Sequence, residues 1–270
     1  MKVAFCFSGQ IRNIDDCINY WKPIIDSYNG DVFASFWETE EKDSIWKFIT
    51  AFIPKKIEFE DYNLFEKTTV NIFAEEINPP VWVGLIGLSV ESGEFVKKSN
   101  ILPMFYKIWR SNLLANQEEY DVVVRLRTDV FLSEFKIELN NYLNIPHGEI
   151  GVWNWDNCFG PVDIIAYGNQ KVMNYYSTAY LYLTRFLKDG EYFFPPENIL
   201  RVHLSKKDIT IRNFVGYVYL FRNKHLLKEG EPHQGSHNVT DVEEKIFSSK
   251  EWFIDPKVIN PLLNFWKNFD

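Results

Sequence analysis

Cysteine is scarce in this chain. Its 270 residues contain three, at Cys6, Cys17 and Cys158. The number is odd, and the sequence has no Cys-x-x-Cys pair or Cys/His spacing of the kind that binds zinc. Neither a disulfide framework nor a zinc site is therefore indicated. The cysteines are predicted to be reduced, buried thiols, as is usual in the cytoplasm.

Positive charge is also in short supply. The chain has 29 Lys and Arg against 37 Asp and Glu, which gives a net charge of −8. Nucleic acids and anionic membranes attract proteins through fields of Lys and Arg. The sequence therefore predicts no nucleic-acid partner. A few well-placed arginines can still bind one small phosphate ligand.

Long apolar runs are missing. No stretch approaches the roughly 18 apolar residues of a membrane-spanning helix. The first residues, MKVAFCF, carry one Lys and an apolar run that is too short for a signal peptide. We interpret them as a strand and expect a cytoplasmic protein without a transmembrane segment.

The glycine-rich phosphate-binding motifs are absent as well. Neither GxGxxG nor GxxxxGK followed by Ser or Thr occurs. Their absence weighs against a Rossmann dehydrogenase and against P-loop kinases and sulfotransferases. With no internal repeat and no low-complexity linker, one domain is the expected organisation.

Strand and helix signals alternate in the first half of the chain. Apolar runs at 3–7 and 32–37 are typical of strands, the first of them buried on both faces, and 56–59 is a candidate for a third strand. Between them, apolar residues recur at helical spacing over 14–25 and 45–53. This order predicts an α/β fold with a mainly parallel central sheet flanked by helices.

The rest of the chain continues the pattern after an irregular excursion at 79–100, which we interpret as a loop that closes over a ligand. Helices are predicted at 104–117, 169–187, from Pro195 onward and at 259–266. A strand that runs into a turn is predicted at 120–132, and further strands are predicted at 151–155, 163–167, 209–211 and 216–221.

The segment Tyr120 to Leu132 is the most informative. As one strand it would place Arg125, Arg127 and Asp129 on a single face. A central α/β strand should be apolar, so these charges must be paired or serve a ligand at the carboxyl end of the strand. Asp129 would then hold a divalent metal or a sugar hydroxyl, with an arginine near phosphate. The alternative is an internal Arg–Asp ion pair that orders the strand end.

A second candidate follows the first predicted strand. Ser8, Gly9 and Gln10 form a turn in which glycine allows close approach of a ligand, and Arg12 can neutralise a diphosphate near a helix start. Any strand–helix turn uses such residues, so the segment is weak evidence when taken alone.

Two carboxylates are candidates for a general base that deprotonates an acceptor hydroxyl. Glu197 falls in the first turn of a predicted helix, where the helix dipole alone would favour a carboxylate. Asp163 is a rival for the same role, as is Asp156.

These segments occur in a familiar combination: FSGQIR (7–12), DVFASFW (31–37), YDVVVRLRTDVF (120–131) and DIIAYG (163–168). Together they resemble glycosyltransferases of the nucleotide-sugar-binding GT-A type, which are found in surface-polysaccharide gene clusters and in large DNA viruses. The likeness covers roughly residues 1–205.

The resemblance implies one GT-A-like domain over residues 1–270, with a nucleotide-sugar-binding half (1–130) and an acceptor half with a C-terminal extension (131–270). In such enzymes a divalent metal held by an Asp-x-Asp motif usually bridges the donor's diphosphate. Here the matching triplet is Arg127-Thr128-Asp129. Either Asp129 binds Mn²⁺ or Mg²⁺ with help from another residue, or arginines replace the metal in part.

The sequence thus predicts a glycosyltransferase that moves a sugar from a nucleotide-diphosphate donor to a glycan hydroxyl. The donor-binding residues would be Ser8, Gly9, Gln10, Arg12, Arg125, Arg127 and Asp129. Glu197, which matches the base of inverting members in position only, or Asp163 would be catalytic. The alternative is a non-catalytic glycan- or nucleotide-binding module derived from a transferase, suggested by Arg127 in place of a carboxylate.

Overall fold

The computed structural model describes residues 1–39, 42–70, 98–132, 148–154, 161–188, 196–213, 218–222 and 225–229. Cys158, Asp156, the helix predicted at 259–266 and most of the loop predicted at 79–100 lie outside this part of the chain. Cys6 and Cys17 are buried free thiols, in agreement with the sequence. None of the helices described has the length and hydropathy needed to cross a lipid bilayer.

Ten strands occur within the described residues. They are β1 (Val3–Gly9), β2 (Asp31–Trp37), β3 (Lys56–Glu60), β4 (Val122–Leu126), β5 (Val130–Leu132), β6 (Glu149–Asn154), β7 (Pro161–Gly168), β8 (Thr210–Asn213), β9 (Val218–Arg222) and β10 (His225–Glu229). Seven of them form a central sheet in the order β3-β2-β1-β4-β7-β6-β8, and β10-β9-β5 form a smaller sheet.

The predicted α/β class with a mainly parallel central sheet is confirmed. β1 runs parallel to β2 and β4, and β3 runs parallel to β2. β7 lies antiparallel between β4 and β6, while β8 is parallel to β6. Because β1 to β4 are parallel, their carboxyl ends meet at one edge, where ligands bind in open α/β sheets.

Helices cover both faces of the central sheet. They are α1 (Ile14–Ser27), α2 (Lys42–Phe52), α3 (Tyr62–Phe65) with a following π-helical turn (Glu66–Val70), α4 (Lys98–Ala115), α5 (Gln170–Ser177), α6 (Ala179–Lys188) and α7 (Pro196–Ser205). Side chains of α1 and α2 pack on one face of the sheet, and those of α4, α5 and α7 pack on the other. The predicted amphipathic spacing thus produces a three-layer arrangement.

The segment 120–132 was predicted to be a strand that runs into a turn, with Arg125, Arg127 and Asp129 on one face, and that shared face is wrong. β4 ends at Leu126, Arg127 to Asp129 form a turn, and β5 begins at Val130 in the smaller sheet. Arg127 and Asp129 therefore do not extend the face of β4 that carries Arg125. The turn is stabilised by hydrogen bonds that only the folded chain brings together, so strand alternation could not reveal it.

The helix predicted at 169–187 is also divided. α5 ends at Ser177, and α6 begins at Ala179. At the junction the hydroxyl of Thr178 donates to the carbonyl oxygen of Tyr175 at 2.6 Å. Such bonds between a threonine side chain and the preceding turn compete with the regular helical pattern.

Candidate functional site

The candidate site lies where β1 and β4 end. Gly9 closes β1 with a φ of +108°, a conformation that side-chain-bearing residues rarely adopt. An added Cβ there would meet nothing within 4 Å, so the backbone conformation is what requires glycine. The turn directs residues 10–12 toward the end of β4.

Hydrogen bonds join this segment to the turn after β4. The backbone N–H of Arg12 donates to Oγ1 of Thr128 at 2.9 Å, and that hydroxyl donates to the carbonyl oxygen of Gln10 at 3.2 Å. The Arg12 guanidinium also contacts the side chain of Gln10 and, at 3.5 Å, Oδ2 of Asp129. The structure therefore brings together Gln10, Arg12 and Asp129 from separate parts of the sequence.

Arg127 and Asp129 form a two-pronged ion pair within the turn. Nε of Arg127 donates to Oδ1 of Asp129, and Nη2 donates to Oδ2, both at 2.8 Å. The Asp129 side chain is 3% exposed, whereas Arg127 is 20% and Arg12 45% exposed. Two guanidinium groups thus share one buried carboxylate, and part of each guanidinium faces solvent.

Arg125 occupies a different environment. It is buried in β4, and its guanidinium donates to the backbone carbonyl of Ile164 in β7. Burial lowers the pKa of Arg125, while Tyr176 and Asp163 nearby act in the opposite direction. Within the described residues its Nε has no hydrogen-bond partner. Arg125 therefore lies behind the site, apart from the Arg12 and Arg127 pair.

Three further buried polar atoms lack partners within the described part of the chain: the hydroxyls of Ser8 and Tyr176, and Oδ2 of Asp163. Burial raises the pKa of Tyr176, and Arg125 opposes this effect. Unsatisfied buried groups are costly and concentrate at functional sites. Tyr176 is a buried residue of α5.

The two candidate bases lie on different elements. Asp163 is near the start of β7, and the antiparallel pairing of β7 with β4 brings that start to the carboxyl end of β4. Glu197 is half-buried in the first turn of α7, as predicted, and α7 packs against β7. Asp163 is thus placed at the edge that holds Arg127 and Asp129.

A charged network at the ends of β2 and β3 was not predicted. Glu58 accepts hydrogen bonds from Arg110 in α4 at 2.9 and 2.5 Å and from the hydroxyl of Ser35 at 2.7 Å. Burial alone would raise the pKa of Glu58, but the bonds from Arg110 and Ser35 outweigh it and the pKa is lowered.

Glu60 completes this network two residues further along β3. It accepts hydrogen bonds from the hydroxyl of Tyr106 at 2.7 Å and from the buried ammonium of Lys107 at 2.6 Å. The Lys107 ammonium also lies 4.2 Å from the centre of the Trp37 ring. The alternating charges in the segment KIEFE (56–60) were the available signal, because Glu58 and Glu60 share one face of a strand.

The divalent cation implied by the family resemblance does not fit the residues present. Both oxygens of Asp129 already accept hydrogen bonds from Arg127, and Arg12 lies beside one of them. Among the described residues, no group of three or more His, Cys, Asp or Glu side chains is placed to hold a metal ion. A cation at Asp129 would have to displace a guanidinium from a buried carboxylate.

No protein-family model and no curated protein matches this sequence. Solved structures with a similar fold include mouse xyloside xylosyltransferase 1 in its apo form (TM-score 0.42, 9% identity, 80% of this chain and 86% of that chain). Core-mannan synthase A from Aspergillus fumigatus in an Mn/GDP form is similar at a TM-score of 0.42 and 11% identity, over 89% of this chain and 81% of that one.

A Bacillus anthracis protein assigned as a glucose-1-phosphate thymidylyltransferase, in complex with sucrose, has the same TM-score of 0.42 at 10% identity, over 82% of this chain and 90% of that chain. At these values the likeness concerns the overall arrangement of the chain.

Proposed function

We propose that this protein is a glycosyltransferase that moves a sugar from a nucleotide-diphosphate donor to a hydroxyl group of a glycan. The observation that supports the proposal is the pair of arginines, Arg12 and Arg127, held by Asp129 at the carboxyl ends of β1 and β4. This edge is where open α/β sheets bind their ligands. Partly exposed guanidinium groups there suit the two phosphates of such a donor.

Stabilisation of the departing diphosphate would be the largest contribution to the rate of sugar transfer. The bond between the anomeric carbon and the phosphate oxygen breaks, and the nucleoside diphosphate leaves with the bonding electrons. Arginines fixed before the reaction stabilise that charge without having to reorganise. The hydrogen bonds of Arg12 to Gln10, Thr128 and Asp129 provide this preorganisation.

The acceptor hydroxyl must lose its proton as its oxygen bonds to the anomeric carbon. For an inverting reaction we propose Asp163 as the base, and Glu197 as the alternative. Asp163 is buried, and its Oδ2 has no hydrogen-bond partner within the described residues. A carboxylate in that state can accept a proton directly from a bound hydroxyl.

The remaining parts of the proposal concern organisation. Residues 1–130 would bind the donor, and residues 131–270 of the same domain would bind the acceptor. A cytoplasmic location accords with the two buried free thiols, Cys6 and Cys17.

A panel of nucleotide-diphosphate sugars, each with and without Mn²⁺, tests the function by thermal unfolding and by donor hydrolysis. At least one donor is expected to raise Tm and to be hydrolysed slowly without acceptor. Arg12→Gln should reduce the shift, whereas Lys47→Gln, which removes a surface charge paired with Asp15, should not. If no member of the panel changes Tm, the proposal is wrong.

The second candidate is a non-catalytic binding module. The pairing of Arg127 with Asp129 favours it, because the carboxylate that a metal would use is already neutralised. Donor hydrolysis separates the two functions. A bound donor that raises Tm but is never turned over, with or without glycan acceptors, would establish the binding module.

A further inference from the structure

The turn after β4 has the composition of an anion site. Asp129 is 3% exposed, and both of its oxygens accept hydrogen bonds from Arg127 at 2.8 Å. Arg12 approaches the same carboxylate from the segment after β1, at 3.5 Å. Within this turn two guanidinium groups therefore flank a single carboxylate, an arrangement that favours an anion over a cation beside them.

Metal binding at Asp129 would require a large rearrangement. Mn²⁺ and Mg²⁺ bind carboxylate oxygens directly, and Mg²⁺ does so at about 2.0–2.1 Å. A divalent ion at that distance from Asp129 would lie beside the guanidinium that holds the same oxygens. Moving Arg127 away would break both of its hydrogen bonds to the buried carboxylate of Asp129.

The geometry of Arg12 is fixed independently of any metal. Its backbone N–H donates to Thr128 Oγ1 at 2.9 Å, so the segment after β1 is attached to the turn by a direct hydrogen bond. The Arg12 side chain is 45% exposed, which leaves part of its guanidinium free for a ligand. Arg127 is 20% exposed and lies next to it through their shared partner.

We infer that this site binds the diphosphate of its donor without a divalent cation, with Arg12 and Arg127 supplying the positive charge. Asp129 acts as the carboxylate that orients both arginines. The inference rests on the proposed function, because it concerns the diphosphate of a nucleotide-linked donor. It differs from the family resemblance, which implies that a divalent metal bridges this diphosphate. The residues at Asp129 do not fit such a metal.

Calorimetric titration of the full chain with UDP and with GDP, once in EDTA and once in Mn²⁺, tests the inference. The affinity for the nucleotide that binds is expected to agree within about threefold between the two buffers. Binding seen only in Mn²⁺, or at least about tenfold tighter there, overturns the inference and leaves the proposed function intact. Absence of binding in both buffers removes the proposed function and the inference with it.

Variants identify the groups responsible. In EDTA, Arg12→Gln is expected to weaken nucleotide binding by about tenfold or more, as loss of a charge-assisted hydrogen bond to phosphate would. Arg127 is more buried than Arg12, so it is changed to the similar residue Lys. Arg127→Lys keeps the positive charge but cannot form the two-pronged hydrogen bond to Asp129. Lys47→Gln is the matched control. Unchanged affinity in both arginine variants, with unchanged Tm, contradicts the inference.

Discussion

Lys107 and Glu60 form a 2.6 Å hydrogen bond between an ammonium group that is fully buried and a carboxylate that is 34% exposed. The bond attaches α4 to the end of β3. Burial lowers the pKa of Lys107, and the bond to Glu60 opposes that effect. The two partners differ in their access to water, so the loss of one is not equivalent to the loss of the other.

Glu60→Gln is expected to destabilise the protein more than Lys107→Met does. The first change leaves a buried cation without its counter-charge and should cost about 2–4 kcal/mol, while the second leaves a carboxylate that water reaches and should cost about 1–2 kcal/mol. Urea unfolding measures both. Lys22→Met, which removes a surface pair with Asp26, serves as control and should change little. The reverse order of the two losses would contradict this account.

Ile53→Gly is expected to stabilise the protein. Ile53 follows α2 with a φ of +45° and is 78% exposed, so a branched side chain holds a left-handed conformation without gaining burial. Relief of that backbone strain should add about 1–2 kcal/mol to the free energy of unfolding. The greater freedom of glycine in the unfolded chain should subtract up to about 1 kcal/mol from this gain. Urea unfolding should also show no gain for Ile53→Val, which keeps the branch. A loss of stability in Ile53→Gly would show that the side chain has a role of its own.

Glu118 predicts a dependence of stability on pH. Hydrogen bonds from Lys2 and Lys55 lower the pKa of Glu118 to about 2. A carboxyl whose pKa is lower in the folded state stabilises the fold above its unfolded pKa of about 4.3 and loses that contribution as pH falls toward its folded pKa. The stability difference between the native chain and Glu118→Gln should therefore shrink between pH 4.3 and pH 2.

Unfolding curves measured across this pH range give the difference directly. Glu119→Gln is the matched control, because it removes an adjacent exposed carboxylate. A constant difference for Glu118→Gln across the range would mean that Lys2 and Lys55 do not hold that carboxylate in solution.

The first strands and helices were predictable because their signals are local. Val3 to Phe7 is a short apolar run followed by Ser8 and Gly9, and such runs form strands buried on both faces. The helical spacing of Ile14, Cys17 and Trp21 gave α1, and all three side chains are buried. Parallel order followed from the alternation of the two kinds of signal.

Local signals could not predict that the turn at Arg127 joins strands of two different sheets. Val130 to Leu132 look like the continuation of β4, and only the pairing of Val130 with Leu220 in the other sheet reveals the break. The buried state of Lys107 depends in the same way on Glu60, which is distant in sequence. Whether a polar side chain can be buried depends on its partners in the folded protein, and local sequence patterns do not show those partners.

The connection between β4 and β5 consists of Arg127, Thr128 and Asp129 alone, and it carries the chain from one sheet to the other. Most surface loops tolerate insertions and deletions. One residue added or removed here would shift the pairing of β5 with β9 by one position. Each side chain of β5 would then lie on the opposite face of the smaller sheet, because the alternation along a strand has a period of two. Tolerance of length change should therefore be lowest at these three positions, even where a substitution is accepted.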